Sequence, residues 1–279
     1  MSFLITAHAR AHLPQSDLAR AVLQRSGQPL RRASPLASLA LLACLDVLAH
    51  EQAVTDAAAC ETVRAVSSNT GPTALIWHSQ QGPQPETESL LAAQRTGDGL
   101  LLPFDFLASQ PALLGVQLKP WLPGLAQTLF LPGTAHPQAQ VWMHLLQLAH
   151  FGLVQKRFGR VICASLERDS GICRYAAISL ATDSLTGVSA QATKMAQGQA
   201  APAHGAGHCL LRGRWQAQPS GNGPLGDTAS EAVATGGLAQ QADAALWRCL
   251  ETEHAASDAE PALLLPAKGA CLHLHRLRV

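Results

Sequence analysis

The chain has 279 residues, of which 47% are apolar and only 14% are charged. This length can bury one large core or two small ones, and the apolar share excludes general disorder. Lys and Arg total 20 against 19 for Asp and Glu, so the chain lacks the basic surplus that draws proteins to nucleic acid or anionic lipid. We therefore expect neither a nucleic-acid partner nor a membrane partner.

The first half of the chain alternates strand and helix patterns. Residues 3–7 are β-prone, and a helix is expected at 16–24 after Pro14. Ser34 as N-cap and Pro35 at the first helical position open a leucine-rich helix. Its apolar run to His50 is broken by Asp46 and is shorter than the ~20 residues that a bilayer requires, which predicts a buried helix.

The alternation continues through the middle of the chain. The pattern predicts strands at 73–78, 127–131 and 160–165, and a further run at 175–181 that could close the sheet as an edge. Helices are expected at 86–94, 107–118 and 137–151. Such alternation is typical of an α/β fold, with a mainly parallel mixed sheet between layers of helices.

The composition changes after residue 181. Residues 182–207 and 218–237 are rich in small and polar residues and are expected to be long loops. Segments 207–215, 238–253, 262–265 and 270–277 are predicted to return the chain to the fold. We therefore divide the chain into residues 1–181 and a shortened part, residues 182–279, that completes the same domain.

Compartment follows from two features of the sequence. The first thirteen residues include His8, Arg10 and His12 where a secretory signal needs an apolar core. The seven cysteines form no C-x-x-C pair, which indicates reduced thiols in the core. Both features predict a cytoplasmic protein.

Several polar clusters have an ordinary structural interpretation that we favour over a site. His204, His208 and Cys209 could ligate zinc, but the glycines between them weaken a helix and no fourth ligand is identified. Cys271, His273 and His275 alternate as on a half-exposed edge strand. His144 and His150 lie six apart, which does not place both on one metal. No G-x-S-x-G elbow occurs, and the glycines of 221–226 do not follow a strand.

Residues 34–167 carry a series of motifs in a recognisable order. They are the helix SPLASLALLAC at 34–44, the strand and turn ALIWHSQQG at 74–82, the helix ETESLL at 86–91, and the segment LPFDFLASQP at 102–111. This series resembles the N-terminal half of a β-ketoacyl synthase of the thiolase-like fold. The match is to the short type called chain-length factors, which occur with aryl polyene and polyketide genes.

The resemblance places a substitution at the nucleophile. Active ketosynthases expose a cysteine at a turn before a buried helix, where the helix end stabilises the thiolate. The matching segment, 133–140, has no cysteine. It places Gln138 at or beside that position, with His136 and Gln140 also within the uncertainty of the count. Glutamine there is typical of degenerate partner subunits, although these polar residues could instead simply cap a helix.

The resemblance also implies what the chain does. Active ketosynthases have two later histidines, but the segment 204–208, HGAGH, comes too early to take their roles. We therefore expect a catalytically inactive subunit that pairs with an active β-ketoacyl synthase as a heterodimer, meets an acyl carrier protein transiently, and needs no metal or organic cofactor. Phe104, Phe106, Leu114, Trp121 and Phe130 are the candidate tunnel and interface residues.

Two other functions stay open at this stage. A cysteine-independent decarboxylase or acyltransferase could act on acyl-carrier thioesters through Gln138 or a nearby histidine. A homodimeric scaffold with thiolase-like architecture could instead have no polyketide role. The strand at 127–131, by resemblance, is the one that pairs across a two-fold axis, and such an apolar edge is an aggregation liability when it is unpaired.

Overall fold

A computed structural model of the chain describes residues 2–31, 33–57, 71–96, 103–133, 141–182, 209–217, 245–248, 250, 263–267 and 270–278. The helices are α1 (Leu18–Ser26), α2 (Pro35–Ala57), α3 (Gln84–Thr96), α4 (Pro103–Ala108), α5 (Leu114–Leu118) and α6 (Val141–Val154). The strands are β1 (Ser2–Pro14), β2 (Thr73–Ser79), β3 (Leu125–Pro132), β4 (Arg160–Asp169), β5 (Ile172–Thr182), β6 (Cys209–Ala217), β7 (Leu263–Ala267) and β8 (Ala270–Arg278). Residues 245–248 and 250 are also helical.

All the described strands lie in one sheet, in the order β3-β2-β4-β5-β1-β6-β8-β7. Two of these strand pairs are parallel, and both involve β2, which pairs with β3 on one side and with β4 on the other. The other five pairs are antiparallel. The α/β fold with a mixed sheet is confirmed, whereas its parallel share is smaller than the sequence led us to expect.

The position of β5 corrects the sequence-based expectation. The run at 175–181 was expected at an edge, but β5 lies between β4 and β1. The connection from β4 to β5 is a tight turn in which Ser170 and Gly171 both have positive φ, at 46° and 83°. Such a short connection joins only antiparallel neighbours, because a parallel crossover needs a dozen or more residues. The expectation that β8 is an edge strand is also wrong, since β8 pairs with both β6 and β7.

Helices cover both faces of the sheet and enclose two separate cores. On the first face, α2 packs against β1, β4 and β5, with α1 and α5 against its outer side. On the second face, α6 packs against β2 and β4, together with the helical residues Leu246, Trp247 and Leu250. The result is a layered α-β-α arrangement with the sheet in the middle.

Helix α2 is the apolar helix that the sequence predicted, with the predicted cap. The backbone N–H of Ala37 donates to the Ser34 hydroxyl oxygen at 3.1 Å, so Ser34 serves as N-cap. Within the described part of the chain, α2 is the helix long and apolar enough to cross a membrane. Its residues from Leu36 to Cys44, however, are almost all buried in the first core. This burial explains the apolar composition and confirms the expected buried helix.

The C-terminal strands extend the same sheet beyond β1. Strand β6 pairs with Ser2 to Ile5 of β1, and β8 and β7 follow outward. Elements predicted at 207–215, 262–265 and 270–277 are therefore strands of one sheet. The loops expected at 182–207 and 218–237 lie, apart from Thr182, outside the described residues, and the division at residue 181 stays a prediction.

The junction of β6 with β1 predicts a steric effect at Gly213. A Cβ atom added there would lie 2.2 Å from the Phe3 ring, which is fully buried. We expect Gly213→Ala to lower the free energy of unfolding by roughly 2 kcal/mol, because the ring has no room to move. Gly124→Ala is the matched control, since its Cβ would only reach ordinary contact with the Thr73 hydroxyl at 3.8 Å. Equal urea midpoints for both variants would contradict the pairing of β6 with β1.

Candidate functional site

The three parallel strands end together at one edge of the sheet. The register places His78 of β2 beside Leu131 of β3 and beside Ser165 of β4. In open α/β sheets the carboxyl ends of parallel strands are where ligands and reacting groups collect. The polar side chains at this edge are therefore the candidate functional site.

His78 is held in one tautomer at this edge. Its side chain is buried, and its Nδ1 lies 3.1 Å from the Leu131 carbonyl oxygen. A carbonyl oxygen only accepts, so the Nδ1–H donates and Nε2 keeps its lone pair. Burial lowers the pKa of His78, and the hydrogen bond to Leu131 opposes that effect in part. His78 is therefore a neutral acceptor at Nε2.

Glu167 faces this acceptor from the end of β4. Its Oε1 lies 3.7 Å from His78 Nε2, and its two carboxyl oxygens accept the backbone N–H of Gln80 at 3.0 and 3.1 Å. Burial raises the pKa of Glu167 to about 7, against the lowering effects of the Gln80 hydrogen bond and of Arg174. Glu167 thus exchanges a proton near neutral pH, next to the unprotonated Nε2 of His78.

An ion pair between Arg168 and Glu86 fixes the turn that follows β2. Arg168 donates from both terminal nitrogens to the two carboxylate oxygens of Glu86, at 2.7 Å each, and Nη2 lies 3.4 Å from the Gly82 carbonyl oxygen. Gly82 has φ of +53°, and its N–H donates to the Ser79 hydroxyl oxygen at 3.0 Å. The bidentate, largely buried pair orients the start of α3 against the end of β4.

The described thiols are not suited to nucleophilic chemistry. Cys44, Cys163 and Cys173 are all buried. Burial raises the pKa of Cys44 to about 12 and raises the pKa values of the other two thiols as well. Because the thiolate is the nucleophile, these three cysteines are inert core residues. The described residues also contain no group of three or more His, Cys, Asp or Glu placed to hold a metal ion.

The sequence-predicted nucleophile segment lies outside the described residues. This applies to His136, Gln138 and Gln140, which fall between the end of β3 and the start of α6. The roles assigned to these three residues therefore stay predictions. His204 and His208 also fall outside, and so do the side chains of Cys209, Cys271, His273 and His275. His144 is exposed on α6, and His150 is half-buried with its ring 5.6 Å from that of Phe3.

The predicted tunnel and interface residues lie in different surroundings. The side chain of Phe104 is outside the described part, and Phe106 is 56% exposed. Leu114 is buried in the first core, while Trp121 and Phe130 are partly buried against it. The Phe130 ring packs on Trp77 with a centroid distance of 4.3 Å. The structure thus brings Leu114, Trp121 and Phe130 to one core and leaves Phe106 on the surface.

A narrow cleft lies beside Leu114. Its lining includes Ser34, Trp77, Leu107 and Pro111. Its volume is about 10 Å³, which is room for a single water molecule at most. The acyl tunnel expected from the sequence therefore stays a prediction.

Sequence reasoning missed His78 and Glu167 as a pair. His78 is the last residue of the strand predicted at 73–78, whereas Glu167 lies two residues beyond the strand predicted at 160–165 and within the longer β4 of the structure. Their proximity depends on β2 and β4 being neighbours in parallel register, which a single sequence does not give.

No family model and no curated protein matches the chain, whereas solved structures do. The chain is similar to the structure titled ketosynthase (ApeO) in complex with its chain length factor (ApeC) from Xenorhabdus doucetiae, at 12% identity and a TM-score of 0.46, over 99% of this chain and 100% of that one. It is similar to the ishigamide ketosynthase/chain length factor at 11% identity and a TM-score of 0.47, over 67% of this chain and 64% of that one. A third match is ketosynthase twelve of the bacillaene polyketide synthase of Bacillus amyloliquefaciens, at 14% identity and a TM-score of 0.43, over 81% and 46%.

The Glu167 carboxyl group gives stability a defined pH dependence. Its pKa rises from an ordinary 4.5 in the unfolded chain to about 7 in the folded one. The proton is held more tightly by the folded state, so the stabilisation is complete below pH 4.5 and is lost as pH rises through 7. We expect the free energy of unfolding of the wild type to fall by about 2 kcal/mol from pH 5 to pH 8 because of this group. In Glu167→Gln this fall should be absent.

The measurement is urea unfolding of the wild type and of Glu167→Gln at both pH values. Glu88→Gln is the control, because Glu88 is exposed and only accepts from the Gln84 side chain of its own helix. A wild-type pH dependence that survives in Glu167→Gln would show that another group causes it.

Proposed function

We propose that this chain is a ketosynthase-like chain-length factor, an inactive subunit that pairs with an active β-ketoacyl synthase in polyketide or aryl polyene biosynthesis. The observation that carries the proposal is the open edge of strand β3. Among the described strands, β3 ends the sheet, and most of its side chains are at least partly exposed. Leu129, 40% exposed, stands on it beside the partly buried Phe130. A partner strand would cover both.

An edge that no described strand pairs with needs a cover. It presents a row of backbone donors and acceptors together with apolar side chains, which is a template for pairing with another chain. Soluble proteins blunt such edges with charges, bulges or prolines. Strand β3 has no charged residue, and its bulge at Ala126 and its Pro132 lie near its two ends, which leaves Gln127 to Leu131 in regular register. An obligate partner strand would satisfy the backbone groups and bury Leu129. The same edge is where the sequence resemblance places the dimer contact.

Inactivity is supported by the cysteines. The segment 133–140 that follows β3 has no cysteine, and the three described thiols are buried in the two cores. A subunit of this kind contributes shape, while the partner supplies the nucleophile and the main docking surface for an acyl carrier protein. The cytoplasmic location belongs to the same proposal.

The edge predicts a charge-sensitive complex. Leu129→Lys should abolish or weaken the complex with the co-expressed ketosynthase by at least tenfold, because a lysine on the edge strand opposes burial and strand addition. Leu23→Lys is the matched control, since Leu23 of α1 is 47% exposed and lies on another surface. Size-exclusion chromatography with light scattering measures both.

Each outcome of that experiment bears on the function. A one-to-one complex that survives Leu23→Lys and is lost in Leu129→Lys supports the proposal. A well-behaved homodimer that ignores the ketosynthase contradicts it and favours a scaffold. Release of carbon dioxide from a malonyl-carrier substrate by the chain alone contradicts inactivity and favours the cysteine-independent enzyme.

A substitution at Trp121 tests whether this chain limits the length of the product. It is partly buried against the core that contains Leu114. Trp121→Ala should lengthen the product of the assembled complex by at least one extension unit, because it removes bulk from the core whose Leu114 lines the narrow cleft. Mass spectrometry of the released chains measures this, with Val116→Ala, on the exposed side of α5, as control. Unchanged products from a folded, intact complex would remove Trp121 from the tunnel.

A further inference from the structure

The second face of the sheet is divided into an apolar end and a polar end. Helix α6 covers the apolar end, which includes Phe3, Ile5, Ile76, Val161, Cys163, Ile178 and Leu180. Further along β1, β4 and β5 the side chains of the same face become charged or small. This second end forms an open cleft of about 630 Å³, within the range of small-molecule sites.

The register arranges this polar end as a grid. Two neighbouring rows cross β1, β5 and β4: His12, Arg174 and Glu167 form one, and Arg10, Ala176 and Ser165 form the other. All six residues line the cleft. Residues opposite each other on neighbouring strands have Cβ atoms about 5 Å apart. Ala176 and Ser165 therefore give a low floor, and the four longer side chains stand around it.

The charges around the floor favour an anion. Arg10 and Arg174 supply two guanidinium groups, with Arg10 Cζ placed 5.7 Å from the centre of the Trp247 ring. Arg174 reaches Asp169 at 3.2 Å, but both side chains are more than half exposed, so this pair yields easily to a competing anion. Among the described residues that line the cleft, Glu167 is the single acid.

We propose that this cleft binds the phosphoryl group of a small phosphate monoester. The two guanidinium groups donate paired hydrogen bonds to its oxygens, and the Ser165 hydroxyl and the His12 ring lie within the same grid. The assignment stands on the register and the charges of the cleft and does not depend on the chain-length-factor function. Partner binding at β3 and ligand binding here can each fail without the other.

Glu167 sets the pH range in which this site works. The groups that face it are His78 and the Gln80 N–H from the β2 side, Arg174 from β5, and His12 and Arg10 from β1. With its pKa at about 7, Glu167 is mostly protonated at pH 6 and can donate a hydrogen bond to the ligand. At pH 8 it is mostly ionised and repels the ligand. Binding therefore strengthens as pH falls.

Calorimetric titration of the full chain with methyl phosphate at pH 6.5 tests the site. We expect Arg10→Gln and Arg174→Gln each to weaken binding by about tenfold or more, because each removes a charged donor. Arg157→Gln is the matched control, since Arg157 is exposed and its Cζ lies 5.7 Å from a ring centre, that of Phe158, at the other end of β4. Circular dichroism and melting temperature check that every variant is folded.

A second titration isolates the carboxyl group. Inorganic sulfate keeps its charge between pH 6 and pH 8, so a change in its affinity reports the protein. We expect sulfate to bind several-fold more tightly to the wild type at pH 6, and Glu167→Gln to reduce that difference while keeping the affinity seen at pH 6.

Three results would overturn the proposal. They are no heat of binding with millimolar methyl phosphate, equal affinities for the wild type and both arginine variants, and affinity for inorganic phosphate that equals or exceeds that for methyl phosphate. The last result would assign the cleft to a free oxyanion instead of an ester.

Discussion

A single β-bulge in β1 decides which side chains the sheet presents on each face. The register of β1 against β5 shifts between Ile5 and Ala7, so no residue of β5 lies directly opposite Thr6. Before the bulge, Phe3 and Ile5 face the core under α6. After it, Ala7, Ala9 and Ala11 face the core under α2. If Thr6 were not an extra residue, the side chains of His8, Arg10 and His12 would point beneath α2, where charged groups have no water.

The bulge also explains why α2 can lie so close to the sheet. The side chains that β1 turns toward it are mostly alanines, and α2 itself contributes Ala37, Ala40 and Ala43, all of them fully buried. Small side chains on both surfaces let α2 approach the sheet closely. Helices α1 and α5 also pack against α2, so that most of its circumference is buried. The residues that alternate with these alanines, among them Arg10 and His12, lie on the opposite face of β1, which is why that face ends in a polar cleft.

The sequence predicted those elements whose signal is local. The apolar run at 73–78, the cap at Ser34 and the strands at 127–131 and 160–165 are all found close to their expected places. The first strand was expected to end at residue 7, although polar and apolar residues alternate from His8 to Leu13 as they do in a strand. Its interpretation as a connection failed because a bulge interrupts the period of two, so the two halves of β1 are out of phase. The interior place of β5 was missed because apolar runs look alike at an edge and in the middle of a sheet.

The site depended on information that is not local. Neither His78 nor Glu167 is unusual in the sequence, and their pKa values shift only because β2 and β4 bury them side by side. The same contacts link the edge strand β3 to the cleft on β4, β5 and β1. The Leu131 carbonyl of the edge strand fixes the tautomer of His78, His78 faces Glu167, and Glu167 interacts electrostatically with Arg174 in the cleft. If a partner strand joins the edge of β3 and shifts β3, the hydrogen bond to His78 changes first, and with it the proton affinity of Glu167. Any such coupling is reciprocal, so an anion in the cleft would alter the energy of pairing at β3 by the same amount.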